Sequence, residues 1–367
     1  MKLLVIFTGG TIGSTLNDGY ISTDCGKAYQ LIERYRNLNR RSADFDLLEP
    51  FSLLSENMTG ETITALGNCV RENIHKPYDG IIITHGSDTI QYTAAALSYF
   101  LPRPPIPVLL VCSQLVLEHP LANGLANFSA AVDFIASGAG TGVFVPYRNH
   151  DGVIYIHRGT RLLPHLPYGD DLHSIYGQSY GIMQENGCFT KNKPLRQSES
   201  DKTLSGAHGL QLPLEWHSGV LRLFPYPGMQ YPSLDYSTLP ESGAKALCPG
   251  SGSRRKVSVP VSEGQPKAVL LDTYHSGTLC SMTPGMEAFF HAAAQKGLPV
   301  FLTGADAGPD YDSVKLWKKL HVTTLPPASP IAMYMKLWMA LCSPKLLQSF
   351  PLDEIMKTPL SQDILCV

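Results

Sequence analysis

Charge is scarce in this chain. Only 16% of its 367 residues are Asp, Glu, Lys or Arg, and 29 basic residues against 31 acidic ones leave a formal net charge of −2. Such a balance offers no field to draw in DNA, RNA or an anionic membrane, and the short basic runs at 34–41 and 254–256 read as solvated surface. No apolar stretch approaches the ~20 residues of a membrane helix. The opening "MKLLVIF" stops being apolar at Phe7 and runs into glycines without an A-x-A cleavage site, so it reads as a first strand rather than a leader. The eight cysteines, at 25, 69, 112, 188, 248, 280, 342 and 366, show neither a CxxC pair nor a regular spacing. A zinc site needs clustered thiolates and a disulfide scaffold needs a small chain, so reduced thiols in a cytoplasmic protein are expected. Internal repeats and low-complexity segments are absent too.

What is present is alternation. Apolar, β-rich runs ("KLLVIF", "GIIIT", "IPVLLVC") alternate with amphipathic stretches ("KAYQLIERYRNL", "GETITALGNCVRENI", "DTIQYTAAALSYFL", "GLANFSAAVDFIA"). Strands that are apolar on both faces and separated by helices predict a doubly wound α/β domain around a parallel sheet, here over residues 1–187. The polar, aperiodic stretch 188–215 reads as a linker. The pattern then resumes in a second, smaller α/β domain over 216–367, with a Pro/Ser/Gly-rich insertion at about 229–265.

In open parallel sheets, ligands bind beyond the carboxyl ends of the strands. The first strand ends in "TGGTIGSTLNDGYIS", where Gly9 and Gly10 allow close backbone approach and Thr11 adds a hydroxyl. "SENMTG" brings Ser55 and Glu56. "GIIIT" runs into His85, Gly86, Ser87, Asp88 and Thr89, and "VLLVC" into Ser113. Each has a plain structural reading as well: a tight turn at "GGTIG", helix caps at Ser55 and Thr59, a capping box from Asp88 to Gln91, an internally bonded His85. "GGTIG" is neither a GxGxxG fingerprint nor a Walker loop, so a nucleotide is not indicated. Hydroxyls, a carboxylate and glycine-exposed amides together suit acyl transfer on a small zwitterion, chemistry that requires neither metal nor cofactor.

These residues resemble a family, the bacterial-type L-asparaginases of the cytoplasmic kind. "TGGTIG" is similar to its first signature and "HGSDT" to its second, usually HGTDT. "SENMTG" resembles the substrate-binding segment, "DGYIS" a mobile loop carrying a tyrosine, and "SPIAMYMKLWMAL" the closing helix. The resemblance implies hydrolysis of L-asparagine to aspartate and ammonia. It casts Thr11 as nucleophile, Tyr20 as the lid residue bonded to it, and Ser87 in place of a second threonine. Gly10, Ser55, Glu56, Asp88 and Ser113 would surround the substrate, Ser55 at its α-carboxylate and Asp88 with Glu56 at its α-ammonium. It also implies a homodimer or homotetramer in which the C-terminal domain of one protomer completes its neighbour's site.

Two departures stand out. The family's catalytic lysine belongs to a segment like R-G-N-R-x-x-K; here "IHRGTRLLPHLPYGDD" puts Pro164 in its place, and no lysine lies between Lys76 and Lys191. A proline carries no proton. Either His165, Arg161 or His275, the last in "TYHSGT", takes over, or the chain binds aspartate or asparagine with weakened catalysis. "EHPLANG" likewise stands where the family has an Arg-Ser-Asp-Gly run.

Overall fold

A computed structural model describes residues 1–366 apart from 18–19, 24–26, 39, 203, 205–208, 214, 217–218, 235–264, 281, 284 and 306–310. The chain opens with β1 (Lys2–Phe7), a hairpin of β2 (Ser14–Asn17) and β3 (Tyr20–Thr23), α1 (Lys27–Asn37) and β4 (Asp44–Leu48). There follow α2 (Gly60–Asn73), β5 (Gly80–Thr84), α3 (Ile90–Phe100), β6 (Val108–Val111), α4 (Gly124–Ser137) and β7 (Val143–Arg148). Three further strands, β8 (Ile154–Arg158), β9 (Gly181–Met183) and β10 (Phe189–Lys191), complete an eight-stranded sheet in the order β10-β9-β8-β7-β6-β5-β1-β4. The five strands from β4 to β7 pair in parallel. Leu3, Val5, Ile82 and Leu109 pack on one face of the sheet and Leu4, Ile6, Ile81 and Leu110 on the other, which is why these strands are apolar throughout.

The second domain holds a parallel sheet of β11 (Val220–Leu223), β12 (Ala268–Asp272), β13 (Val300–Thr303) and β14 (Thr323–Thr324). Its helices are α5 (Met286–Gln295), α6 (Asp312–Lys319), α7 (Pro330–Leu341), α8 (Pro344–Ser349) and α9 (Leu352–Lys357). The α/β class and the two domains are as expected; three details differ. The large sheet ends in antiparallel strands, β8 to β10. The start of the expected linker is β10 itself, held by Phe189 against Phe134 and Tyr180. The start of the expected insertion belongs to the core: Met229 and Leu234 are buried, and Tyr231 packs on Phe289 and Phe290. All three segments are too short or too polar to show a period. The rest of the insertion, 235–264, lies outside the described residues, as do Cys25 and Cys248; the described cysteines form no disulfide with one another. Among the described residues, no helix is long and apolar enough to cross a membrane, and no three His, Cys, Asp or Glu side chains gather as metal ligands would.

α7 crosses α3, and at their contact the structure buries a charge. Lys336 Nζ, fully inaccessible, lies 2.8 Å from Asp363 Oδ2 and also donates to the backbone carbonyls of Met356 and Thr358. Tyr99 of α3 donates to the same carboxylate oxygen at 2.9 Å, and the Leu360 N–H donates to the other at 2.9 Å. Every polar atom of the pair is thus answered, the condition under which a buried ion pair is tolerated. Removing one partner strands the other charge. Lys336→Met is therefore expected to lower unfolding free energy by about 3–5 kcal/mol, and Lys336→Met combined with Asp363→Leu by clearly less. Urea denaturation of the parent and both variants measures the difference.

Candidate active site

Three strand ends meet at the carboxyl edge of the large sheet. Beyond β1 the chain turns through Gly9 and Gly10, both at positive φ (94° and 76°), into a single 3-10 turn at Thr11–Gly13. Thr8 anchors this exit by donating its hydroxyl to the Thr84 carbonyl at the end of β5, 2.6 Å away. The segment after β4 is laced on by Leu53, whose N–H donates to Thr8 and whose carbonyl accepts from Gly10. Glycine is required here by contact as well as by φ. A Cβ on Gly10 would lie 2.4 Å from the Gly86 nitrogen, and one on Gly86 would lie 2.3 Å from Ser55 Oγ. With backbone against backbone at Gly10 and the Ser55 side chain against Gly86, these contacts hold Thr11, Ser55 and Ser87 on neighbouring segments.

Several polar groups at this edge are consumed by the fold. His85 is buried; its Nδ1–H donates to the Gly86 carbonyl at 2.8 Å and its Nε2 accepts from Thr93 at 2.9 Å. Burial lowers its pKa to about 4, leaving it a neutral structural histidine. Thr59 caps α2 in a reciprocal box with Thr62. The Ser113 hydroxyl donates to the Leu115 carbonyl and accepts from the Gly124 N–H, so both of its roles are filled within the loop. The Gly10 N–H, expected to lie open, is spent on Leu53; at this position the glycine provides closeness rather than a donor.

Others are left over. The Asp88 capping box does not form: Thr89 is the N-cap of α3 and makes no side-chain cap bond, and Gln91 donates to the Asp88 backbone carbonyl instead. Thr89 is turned away because its hydroxyl donates to the Ser55 carbonyl at 2.9 Å, a tie that spacing alone did not reveal. Asp88 therefore keeps an exposed carboxylate at the rim, as does Glu56. Thr11 and Ser87 are half-buried, and Ser55 is buried against Gly86. Tyr20 belongs to strand β3, paired with Asn17, rather than to a loop; its side chain lies outside the described residues.

The three candidates for the missing cation separate cleanly. β8 ends at the far edge of the sheet, and residues 159–165 return from there to the carboxyl edge, where His165 Nδ1–H donates to the Ser87 carbonyl at 3.1 Å. Ser329, at the start of α7, pins this segment by donating to the Leu162 carbonyl. With its proton on Nδ1, the His165 ring presents a lone pair on Nε2, which is buried without a hydrogen-bond partner among the described residues. Burial is the largest influence on the imidazole and lowers its pKa, favouring the neutral form; the Ser87 carbonyl and Asp88 pull the other way. Tyr147, at the end of β7, flanks the ring at 5.6 Å. Sequence reasoning missed this tyrosine, although the strand-end rule applied to "VFVPYR" points to it. Arg161 instead faces the far edge and donates to Ser198. His275 is exposed on the turn after β12, where Ser276 and Thr278 bond to each other.

Residues 2–163 match the family described as "Asparaginase, N-terminal". The chain is 36% identical over 149 residues to an L-asparaginase of Thermococcus kodakarensis, covering 40% of this chain and 44% of that protein. It is 34% identical over 189 residues to a glutamyl-tRNA(Gln) amidotransferase component of Methanosarcina barkeri, covering 50% of this chain and 44% of that protein. The chain thus spans less than half the length of either curated relative. The solved structure of the thermostable T. kodakarensis L-asparaginase superposes over all of both chains with a TM-score of 0.71 at 23% identity. That of a probable cytoplasmic L-asparaginase from Campylobacter jejuni does so over 97% of this chain and 99% of its own, with a TM-score of 0.66 at 19% identity.

The glycine contacts make a sharp test. A Cβ on Gly13 meets nothing within 4 Å, whereas one on Gly10 meets the His85–Gly86 backbone at 2.4–2.6 Å. Gly13→Ala is expected to stay within about 0.5 kcal/mol of the parent in stability and Gly10→Ala to lose at least about 2 kcal/mol, both read from urea melts.

Proposed function

We propose that this chain, which carries an asparaginase N-terminal domain over residues 2–163, is an amidohydrolase that converts L-asparagine to L-aspartate and ammonia. The observation that carries this reading is the edge at which Thr11, Ser55, Ser87 and Asp88 converge around a glycine-on-glycine contact, with His165 beside them. Ser55 holds the substrate's α-carboxylate, and the rim carboxylates of Asp88 and Glu56 hold its α-ammonium. Ser113, whose hydroxyl is already committed, acts by shaping the loop. The Thr11 oxygen attacks the side-chain amide carbon. Its proton passes by way of His165 Nε2 to the leaving nitrogen, and ammonia departs from an acyl-threonine. Water then attacks the ester carbon, giving its proton to the same imidazole, and Thr11 is regenerated. Tyr20 closes over the reacting hydroxyl from the β2–β3 hairpin. The reading includes a cytoplasmic homodimer or homotetramer.

The likeness to a glutamyl-tRNA(Gln) amidotransferase component favours a second reading, in which the same deamidation feeds ammonia to a partner protein. Weakened catalysis remains the alternative if Pro164 has no substitute. Ammonia release from L-asparagine and L-glutamine, with aspartate binding measured alongside, separates the three. Release from asparagine alone supports the first reading, release raised by a co-purifying partner the second, and binding without release the third.

Thr11→Ala is expected to abolish release while unfolding like the parent. His165→Gln is expected to lower kcat by about 10²–10⁴-fold with little change in KM. Because burial depresses the His165 pKa, the neutral base persists below its ordinary value of 6.5. Activity should hold at neutral pH and fall only on acidification past that value, and His165→Gln should lose this acid limb. A His165→Gln enzyme within threefold of the parent, with the limb intact, would remove the imidazole from the mechanism.

A further inference from the structure

The far edge of the large sheet carries a second concavity that deamidation does not use. β7 and β8 run antiparallel, so Arg148 faces Ile154 at the carboxyl edge while Arg158 faces Phe144 at the other. Two adjoining cavities open there, of about 550 and 380 Å³, sharing Arg158, Ser198 and Gln362. The smaller is lined by Arg158, Arg161 and Lys191 among amide and hydroxyl side chains, with no carboxylate in its wall.

These arginines are built in. Arg158 is stacked 4.4 Å over the Tyr180 ring and 5.3 Å from the Phe144 ring, which fixes its guanidinium plane. Arg161 is buried and donates to Ser198 at 2.9 Å. Burial lowers the pKa of both; Asp201 acts against this at both, and Asp363 at Arg161, but among the described residues neither arginine has a carboxylate within ion-pair contact. Nearby carboxylates are otherwise engaged: Asp363 by Lys336 and Tyr99, and Asp201, in the wall of the larger cavity, by the Gln362 N–H at 2.6 Å. Gln362, shared by both cavities, and Ser361, in the wall of the larger, hold left-handed backbone (φ 57° and 51°), with the Ser361 carbonyl fixed by Thr160. A buried guanidinium with no carboxylate in direct contact keeps donors unmatched, and its planar fork matches a carboxylate or phosphate in two parallel hydrogen bonds.

We infer that the cavity of Arg158, Arg161 and Lys191 binds the oxyanion group of a small metabolite, a carboxylate or a phosphate, at a site separate from the deamidation site. Lys191, exposed at the mouth, adds charge, and the aromatic pair beneath Arg158 keeps the fork aimed. Inorganic phosphate and succinate, titrated into the full chain by calorimetry at constant ionic strength, serve as probes. Saturable binding is expected for at least one of them. Phosphate alone would identify a phosphorylated ligand and succinate alone a carboxylate. Arg158→Lys should weaken that binding about tenfold, as a two-bond fork is replaced by a point charge. Lys191→Gln, on an exposed side chain that the fold does not need, should weaken it measurably and keeps the test valid if the Arg158 variant fails to fold. Thr11→Ala should leave it unchanged, so the result stands whatever the fate of the asparaginase reading. Failure of both probes to saturate, equal affinity in the parent and Lys191→Gln, or loss of binding in Thr11→Ala would each overturn the inference.

Discussion

The two halves of this chain meet where Tyr99 of the first reaches the buried pair of Lys336 and Asp363 in the second. The pair's members come from α7 and from the segment after α9, and their third partner, Tyr99, belongs to α3, the helix that begins immediately behind Ser87 and Asp88. An apolar contact of the same volume would contribute as much stability or more. What a wholly buried ion pair adds is intolerance: any shift of α7 against the segment after α9 leaves each charge without water and without a partner, and any docking that withdraws Tyr99 takes a donor from Asp363. Around it Ala95, Ala96, Met335 and Met339 pack as one cluster, so the orientation of α3 is set from the second domain.

At the carboxyl edge the decisive feature is missing atoms. Without side chains at Gly10 and Gly86, two backbones approach to a distance that no other residue pair permits, and Ser55 closes on the same point. Polarity is then sorted by whether a group can satisfy itself locally. Thr8, His85, Thr59 and Ser113 do so. Asp88 is the contrasting case: Thr89 is drawn to Ser55, the start of α3 is left without a side-chain cap, and the neighbouring carboxylate stays exposed.

Much of this was legible because apolar strands and glycine turns announce themselves. The continuous runs at Lys2–Phe7 and Gly80–Thr84 predict buried strands of a parallel sheet, and the two pair in parallel. Less visible was anything that depends on partners distant in the chain. Asp88 and Gln91 have the spacing of a capping box, yet Ser55, 34 residues away, claims the neighbouring Thr89 and the box never closes. β9 and β10 are three residues each, too short for alternation to register, and are held by Phe134 and Tyr180 rather than by propensity. His165 and Arg161 stand four residues apart in the sequence, and of the two only an imidazole is a competent proton carrier near neutral pH. A single return across the sheet takes one to Ser87 and leaves the other at the far edge.

That return has a consequence for how this chain diverges over time. Between Arg158, stacked on Tyr180, and His165, bonded to Ser87, there are six residues, and Ser329 fixes their middle through the Leu162 carbonyl. Inserting or deleting one residue would shift one terminus by a full residue length while the other stayed held, ruining whichever end gave way. The two anchored ends therefore tolerate a change of side chain in this stretch more readily than a change in its length.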